Sequence, residues 1–189
     1  MGDLVQVRLC GFGGQGIVLA GTILGFAAIH DGKWVCGSNS YGAQARGGYA
    51  RSEVVLSSGP VKFPLVIEPD ILIALSQESY GEYVKDLSGT GALVIYDDTG
   101  VTARPMDNLK QIGVPATECA VRECKSKQVV NMVMLGASVA LTGVVSKGAL
   151  VSSISENVPE PYKKPDLDAF ELGYGLGETL KGGGVIQWP

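Results

Sequence analysis

The residues whose types and spacing most clearly indicate chemistry are six near the amino terminus, Gly11-Phe12-Gly13-Gly14-Gln15-Gly16. They match G-x-G-x-x-G, a pattern that binds phosphate where it joins a β-strand to a helix. The first glycine permits a tight turn, the second lets the backbone approach a phosphate, and the third lets the helix pack closely. The free N–H groups at the start of the helix then face an anion. A tight strand-to-helix turn that binds no ligand is the alternative, and the pattern alone leaves it open.

A dinucleotide fits this turn poorly. In dinucleotide-binding domains an Asp or Glu at the end of the second strand, roughly 20 residues further on, binds the ribose. The corresponding stretch here is Val35-Cys36-Gly37-Ser38-Asn39, which contains no acid. We therefore expect a phosphate-bearing ligand that is not NAD.

A polar, glycine-rich loop over residues 40–48 follows the second predicted strand. Loops at the carboxyl ends of strands in open α/β sheets form ligand crevices. Arg46 lies in this loop and Arg51 just after it, and no other arginine lies between Arg8 and Arg104. A guanidinium suits phosphate or carboxylate because it can bind two oxygens at once. The alternative is a structural arginine paired with Glu53 or Glu68.

The cysteines and the histidine indicate no metal or catalytic site. The four cysteines form no Cys-x-x-Cys pair, so we expect free thiols, two of them in strands. The only histidine, His30, falls at the end of an apolar helix, which makes a histidine-based catalytic triad improbable.

Apolar periodicity and turn residues predict the elements that position these segments. Strands are predicted over residues 4–10, 33–37, 50–57, 70–76, 92–96 and 114–118. Helices are predicted over residues 17–30, 77–87, 127–141, 147–157 and 167–180, with a proline-rich connector over 159–165 and a flexible tail at 182–184. This alternation predicts one domain over residues 1–189, a three-layer αβα sandwich with a mostly parallel central sheet.

Composition narrows the class of partner. The chain has 189 residues, of which 46% are hydrophobic and only 18% charged. Such a low charge is typical of a subunit buried in an assembly, although a large core would also explain it. The net charge is −4 and no run of Lys or Arg occurs, so nucleic acid is not an expected partner. Neither a signal peptide nor a membrane-spanning apolar run is visible, so we expect a cytoplasmic protein.

The two candidate site segments together resemble the gamma subunits of 2-oxoacid:ferredoxin oxidoreductases. The resemblance rests on the glycine turn and on the loop that ends in Arg46-Gly47-Gly48. It continues through Glu68-Pro69-Asp70, Ser76-Gln77-Glu78, the helix over 131–143 and Ala169-Phe170-Glu171-Leu172-Gly173-Tyr174. No single motif is decisive, but their order and spacing cover nearly the whole chain.

The resemblance implies a subunit that is inactive without alpha and beta partners. Such enzymes oxidatively decarboxylate a 2-oxoacid, for example pyruvate or 2-oxoglutarate, with coenzyme A as co-substrate, and pass the electrons to ferredoxin. Thiamine diphosphate is held by the alpha and beta subunits, and iron–sulfur clusters by the beta subunit or a ferredoxin-like delta subunit. The gamma domain helps to receive coenzyme A and binds no cofactor by itself.

The resemblance also suggests site residues. The coenzyme A phosphates are expected at the glycine turn, and the facing wall in the polar loop. The candidates are Gly11, Gly13, Gly14, Gln15 and Gly16 for the turn, and Ser40, Tyr41 and Arg46 for the wall. No catalytic residue and no metal ligand is expected, because the carbanion chemistry belongs to the thiamine cofactor.

Two other classes of function stay open. A stand-alone nucleotide-binding oxidoreductase would need the acid missing after the second strand, and a proton donor near the loops. A purely structural interaction domain, whose glycine turn contacts a partner chain, would suit the low charge.

Overall fold

The computed structural model describes residues 4–41, 48–87 and 91–182. The strands are β1 (Leu4–Phe12), β2 (Trp34–Tyr41), β3 (Tyr49–Ser57), β4 (Ile71–Ala74), β5 (Leu93–Asp97) and β6 (Lys110–Val114). The helices are α1 (Ile17–His30), α2 (Gln77–Tyr83), α3 (Ala116–Glu123), α4 (Val130–Thr142), α5 (Lys147–Asn157) and α6 (Glu160–Gly182), and a 3-10 turn over Val84–Leu87 follows α2.

The strands form one sheet in the order β2-β3-β1-β4-β5-β6. The pairs β1–β4, β4–β5 and β5–β6 are parallel. Strand β3 lies antiparallel to both β1 and β2, so every strand except β3 points in the same direction. The predicted mostly parallel sheet is confirmed, with an antiparallel β3 inserted between β1 and β2.

Helices cover both faces of the sheet because β1 is apolar on both. Val7 and Leu9 belong to the larger core, which includes residues of α1, α4, α5 and α6. Cys10 belongs to a smaller core on the opposite face, with Leu72 of β4 and Tyr80 of α2. Alternation along a strand sends neighbouring side chains to opposite faces. The result is the predicted three-layer arrangement.

Helices α4 and α6 pack backbone against backbone at two glycines, Gly136 and Gly173. A Cβ atom added at Gly173 would collide with the backbone of Val133, and one at Gly136 would collide with the backbone of Phe170 and Tyr174. Glycine therefore lets these two helix backbones approach each other directly, and this contact anchors the carboxyl-terminal helix to the core.

Two predicted elements were wrong. Residues 114–118 were predicted as a strand, but Pro115 has no N–H for a sheet ladder and instead caps α3, so the strand β6 lies earlier, at Lys110–Val114. The connector predicted over residues 159–165 is the start of α6, because Pro165 lies near the amino end of that helix on its exposed side. The predicted tail at 182–184 extends beyond the described residues.

Helix α3 was not predicted from the sequence, and the other elements agree with the prediction within a few residues. Helices α1 and α5 have the predicted bounds. All four cysteines are free thiols, with Cys10 and Cys36 in strands as expected. His30 is the last residue of α1, and its Nε2 atom lies 3.0 Å from Glu156 Oε2.

Candidate functional site

The glycine turn between β1 and α1 is built around Gln15. Its Oε1 atom accepts the Phe12 N–H at 2.7 Å, and its Nε2 atom donates to the Leu75 carbonyl at 3.1 Å. The side chain thus joins the end of β1 to the end of β4. Gln15 was predicted as a ligand-binding residue, and in the structure both ends of its amide hold the turn.

At three positions of the turn, the backbone conformation or close packing requires glycine. Gly14 and Gly16 have φ values of 101° and 71°, in the left-handed region that side chains disfavour. Gly11 is the second-last residue of β1, and a Cβ there would lie 2.5 Å from Gln15 Oε1. The sequence interpretation of a tight turn therefore holds, although Gly11 itself lies in the strand.

Gly13 connects the turn to the polar loop. Its N–H donates to the Gly48 carbonyl at 2.8 Å, just before β3 begins. That N–H is therefore already bonded to protein. An anion at this turn would be bound by other N–H groups, chiefly those of the first turn of α1. This helix end has no side-chain cap and no acidic residue in its first turn, so it is free to attract a negative charge.

Asn131, a residue of helix α4, supports the same turn through a hydrogen bond. It is buried in α4, and its Nδ2 atom donates to the Gly16 carbonyl at 3.2 Å. A Cβ on Gly16 would collide with this amide. The contact of Asn131 with the turn could not be predicted, because nothing in the local sequence pattern links α4 to a turn more than a hundred positions earlier.

A crevice of about 390 Å³ opens at the carboxyl edge of the sheet beside the turn. It is lined by the turn, by the start of α2 and by the end of β5. Asp97 faces it, but its carboxylate accepts hydrogen bonds from Thr117 and from the Thr99 N–H, so it is used to hold the start of α3. Lys127 adds a cation at the rim.

The polar loop is only partly described. Ser40 is exposed near the end of β2, and Tyr41 is the last residue of that strand. Residues 42–47, including Arg46, lie outside the described residues. Arg51 is described: its Nε atom lies 3.6 Å from Glu53 Oε1, so the alternative pairing with Glu53 is real.

The described parts of the chain have neither a metal cluster nor a membrane-spanning helix. They contain no group of three or more His, Cys, Asp or Glu residues placed to hold a metal ion. In the same parts, no helix is both long and apolar enough to cross a membrane.

The fold and the site define an α/β subunit with a glycine turn at the carboxyl edge of its sheet. The family model for pyruvate ferredoxin/flavodoxin oxidoreductase matches residues 6–176. The chain therefore belongs to this family, as a gamma subunit of a 2-oxoacid:ferredoxin oxidoreductase.

Similarity to individual relatives is consistent with this family. The 2-oxoglutarate synthase subunit KorC of Methanocaldococcus jannaschii is 43% identical over 177 residues, which cover 93% of this chain and 95% of that protein. The keto/oxoacid ferredoxin oxidoreductase gamma subunit from Geobacter sulfurreducens matches with a TM-score of 0.81 at 38% identity, covering 93% of this chain and 99% of that one.

One similar structure belongs to a longer chain. It is the 2-oxoglutarate:ferredoxin oxidoreductase from Magnetococcus marinus, with 2-oxoglutarate, coenzyme A and succinyl-CoA bound. It matches with a TM-score of 0.84 at 26% identity over 94% of this chain, but over only 31% of its own. In that enzyme the equivalent of this chain is one part of a larger polypeptide.

Proposed function

We propose that this chain is the gamma subunit of a 2-oxoglutarate:ferredoxin oxidoreductase and that it forms part of the wall that receives coenzyme A. The substrate assignment is supported by the relatives from Methanocaldococcus jannaschii and Magnetococcus marinus, which are both named for 2-oxoglutarate. The latter enzyme was solved with coenzyme A bound. The whole chain acts as one gamma-type domain.

The observation that carries the coenzyme A assignment is the hydrogen bond from Gly13 to Gly48. It holds Gly48, the end of the polar loop, beside the glycine turn, which supports the proposal that the two segments contribute to one surface. The uncapped start of α1 lies on this surface. In this proposal Gly11, Gly13, Gly14, Gln15 and Gly16 shape the turn, and Ser40, Tyr41 and Arg46 contact coenzyme A from the polar loop.

The remaining chemistry belongs to partners. Alpha and beta subunits, and a ferredoxin-like delta subunit where one occurs, hold the thiamine diphosphate and the iron–sulfur clusters in the cytoplasm. Thiamine diphosphate supports decarboxylation of the 2-oxoacid, and the clusters carry the electrons to ferredoxin. This chain contributes binding and positioning, so alone it has no oxidoreductase activity.

The test uses the assembled enzyme and separates its two half-reactions. Arg46→Ala removes a charge-assisted contact, which is expected to raise KM for coenzyme A about tenfold or more. Reduction of the clusters by 2-oxoglutarate without coenzyme A is expected to proceed at the parental rate, because it precedes thioester formation. Arg104→Ala, at an exposed position, is the matched control. Comparing kcat/KM for 2-oxoglutarate and pyruvate tests the substrate assignment.

A structural interaction domain is the second candidate. Phe63, Leu65 and Ile67 alternate along the segment between β3 and β4, and each is more than half exposed. If Arg46→Ala assembles normally and uses coenzyme A like the parent, this second function is favoured and the glycine turn is a subunit contact.

A further inference from the structure

A groove of about 650 Å³ lies among the helices that cover one face of the sheet. It is lined by the end of α3, the segment that joins α3 to α4, and the first turns of α6, and Leu19 of α1 also lines it. It shares no lining residue with the crevice beside the glycine turn. The groove is therefore a second feature of the surface, to which the proposed function assigns no role.

Most of the groove wall is apolar. Its apolar residues are Leu19, Val129, Val158, Pro159, Tyr162 and Leu172. Tyr162 is 60% exposed, so its ring stands at the rim. Apolar surface of this kind favours an occupant that carries an apolar segment of its own, because burying both surfaces removes them from water.

The charged part of the wall is acidic. Glu123, Asp166 and Asp168 line the groove, whereas no Lys or Arg among the described residues does. Two of the three carboxylates already have cations: Glu123 lies 2.7 Å from Arg122 Nε, and Asp168 lies 2.8 Å from Lys164 Nζ. The charge of Asp166 is therefore the one that the chain leaves without a cation at this groove.

Asp166 is buried without a partner. The residue is only 7% exposed, and its carboxylate has no hydrogen bond and no ion pair in the described parts of the chain. Burial raises the pKa of this carboxyl, and no nearby cation opposes the shift. A buried carboxylate without a partner destabilises the free chain. The partner that would offset this cost has to come from outside the chain, through the groove that Asp166 lines.

We propose that the groove receives a lysine or arginine side chain from another subunit of the complex, and that its cation pairs with Asp166. Both side chains carry an aliphatic stem that packs on apolar surface, and a charged head that needs an anion. The groove offers these two features in the same order, an apolar wall and a buried carboxylate. Loss of one member of such a desolvated pair chiefly speeds dissociation.

A protein segment fits the groove better than a free amine does. Relatives of the chain are themselves named as subunits. A segment of another subunit also covers the exposed Tyr162 ring at the rim, which a small amine leaves in water. That the subunit is an alpha or beta subunit rests on the proposed function, whereas the groove and its unpaired carboxylate do not.

The test measures how fast this chain leaves the assembled complex, by exchange against fluorescently labelled parental chain. Asp166→Asn is expected to speed exchange about tenfold or more, because the incoming cation loses its anion. Tyr162→Ser, at an exposed position, is expected to speed it less. Glu178→Gln is the matched control: it removes one negative charge from the exposed side of the same helix, outside the groove.

The stability of the free chain separates this interface role from a structural one. Asp166→Asn is expected to raise Tm of the free chain while it weakens the assembly, and a structural residue moves both in the same direction. If Tm falls instead, Tyr162→Ser decides the question, and exchange at the parental rate with that variant overturns the proposal.

Three further results overturn the proposal. In the first, Asp166→Asn exchanges at the parental rate. In the second, it exchanges no faster than Glu178→Gln, so that only the overall charge matters. In the third, sedimentation shows that the free chain is a dimer that Asp166→Asn dissociates, so that the occupant is a second copy. Exchange reports assembly and Arg46→Ala reports the use of coenzyme A, so either proposal can fail alone.

Discussion

Gly13 donates its N–H to the Gly48 carbonyl at 2.8 Å, and this bond joins two segments that the sequence could only place on separate loops. It fixes where the polar loop ends relative to the turn that starts α1. The β1–β3 pairing places Phe12 opposite Tyr49, and the Gly13 bond continues this contact into the turn, so altering Gly13 is the first test of the surface proposed for coenzyme A.

Gly13→Val is expected to raise KM for coenzyme A about tenfold or more in the assembled enzyme, because a branched side chain then occupies space where the ligand approaches the backbone. Cluster reduction by the 2-oxoacid alone is expected to be unchanged. Steady-state kinetics and single-turnover absorbance measure the two. Gly148→Val, at an exposed position with open space around it, controls for the side chain itself. Equal coenzyme A kinetics in both variants would contradict the proposed surface.

Gly16→Ala is expected to destabilise the chain more than Gly14→Ala. Both positions have positive φ, which costs a residue with a side chain about 1–2 kcal/mol. A Cβ at Gly14 meets open space, whereas one at Gly16 collides with the Asn131 amide and adds about 1–3 kcal/mol. Urea denaturation of the full chain measures the difference. If the two variants unfold at the same urea concentration, Asn131 does not support the turn as described.

Gly173→Ala and Gly175→Ala are expected to change stability in opposite directions, although both lie in α6. At Gly173 a Cβ would overlap the Val133 backbone, so α4 and α6 must separate, at a cost of about 1–3 kcal/mol or more. Gly175 is exposed and unobstructed, so alanine there is expected to stabilise the helix by up to about 1 kcal/mol. Thermal unfolding monitored by circular dichroism distinguishes the two. A stable Gly173→Ala variant would show that the helices do not touch at this point.

Asp166→Asn is expected to stabilise the chain at neutral pH. Burial raises the pKa of the Asp166 carboxyl above its ordinary value of 3.8. The folded chain therefore binds more protons than the unfolded chain between the two pKa values, and stability falls as pH rises through that window. The stability gained by replacing Asp166 with asparagine is therefore complete above the raised pKa. It disappears below about pH 3.8.

The control for this effect is Asp168→Asn on the same helix. Asp168 is exposed and lies 2.8 Å from Lys164 Nζ, so its removal is expected to bring no gain. Tm measured against pH for both variants is the experiment. A Tm difference between Asp166→Asn and the parent that is the same at pH 3 and pH 7 would refute the assignment.

The sequence by itself determined the local elements of this protein. Apolar runs and turn residues predicted α1 and α5 with the observed bounds. The glycine pattern predicted the turn, because positive φ values at Gly14 and Gly16 are a local requirement that few other residues meet. The family resemblance also followed from motifs in order along the chain and was confirmed by the comparisons.

Only the tertiary structure decided what these elements place together. No sequence pattern indicates that Gly48 accepts from Gly13, that Asn131 contacts Gly16, or that Arg51 lies beside Ser40 and over Tyr83. Pro115 was predicted inside a strand and Pro165 inside a connector, but Pro115 caps the start of α3 and Pro165 lies in the amino-terminal part of α6. The physical reason is that strand order and register are set by long-range packing of the whole sheet, whereas periodicity and turn chemistry depend on residues a few positions apart.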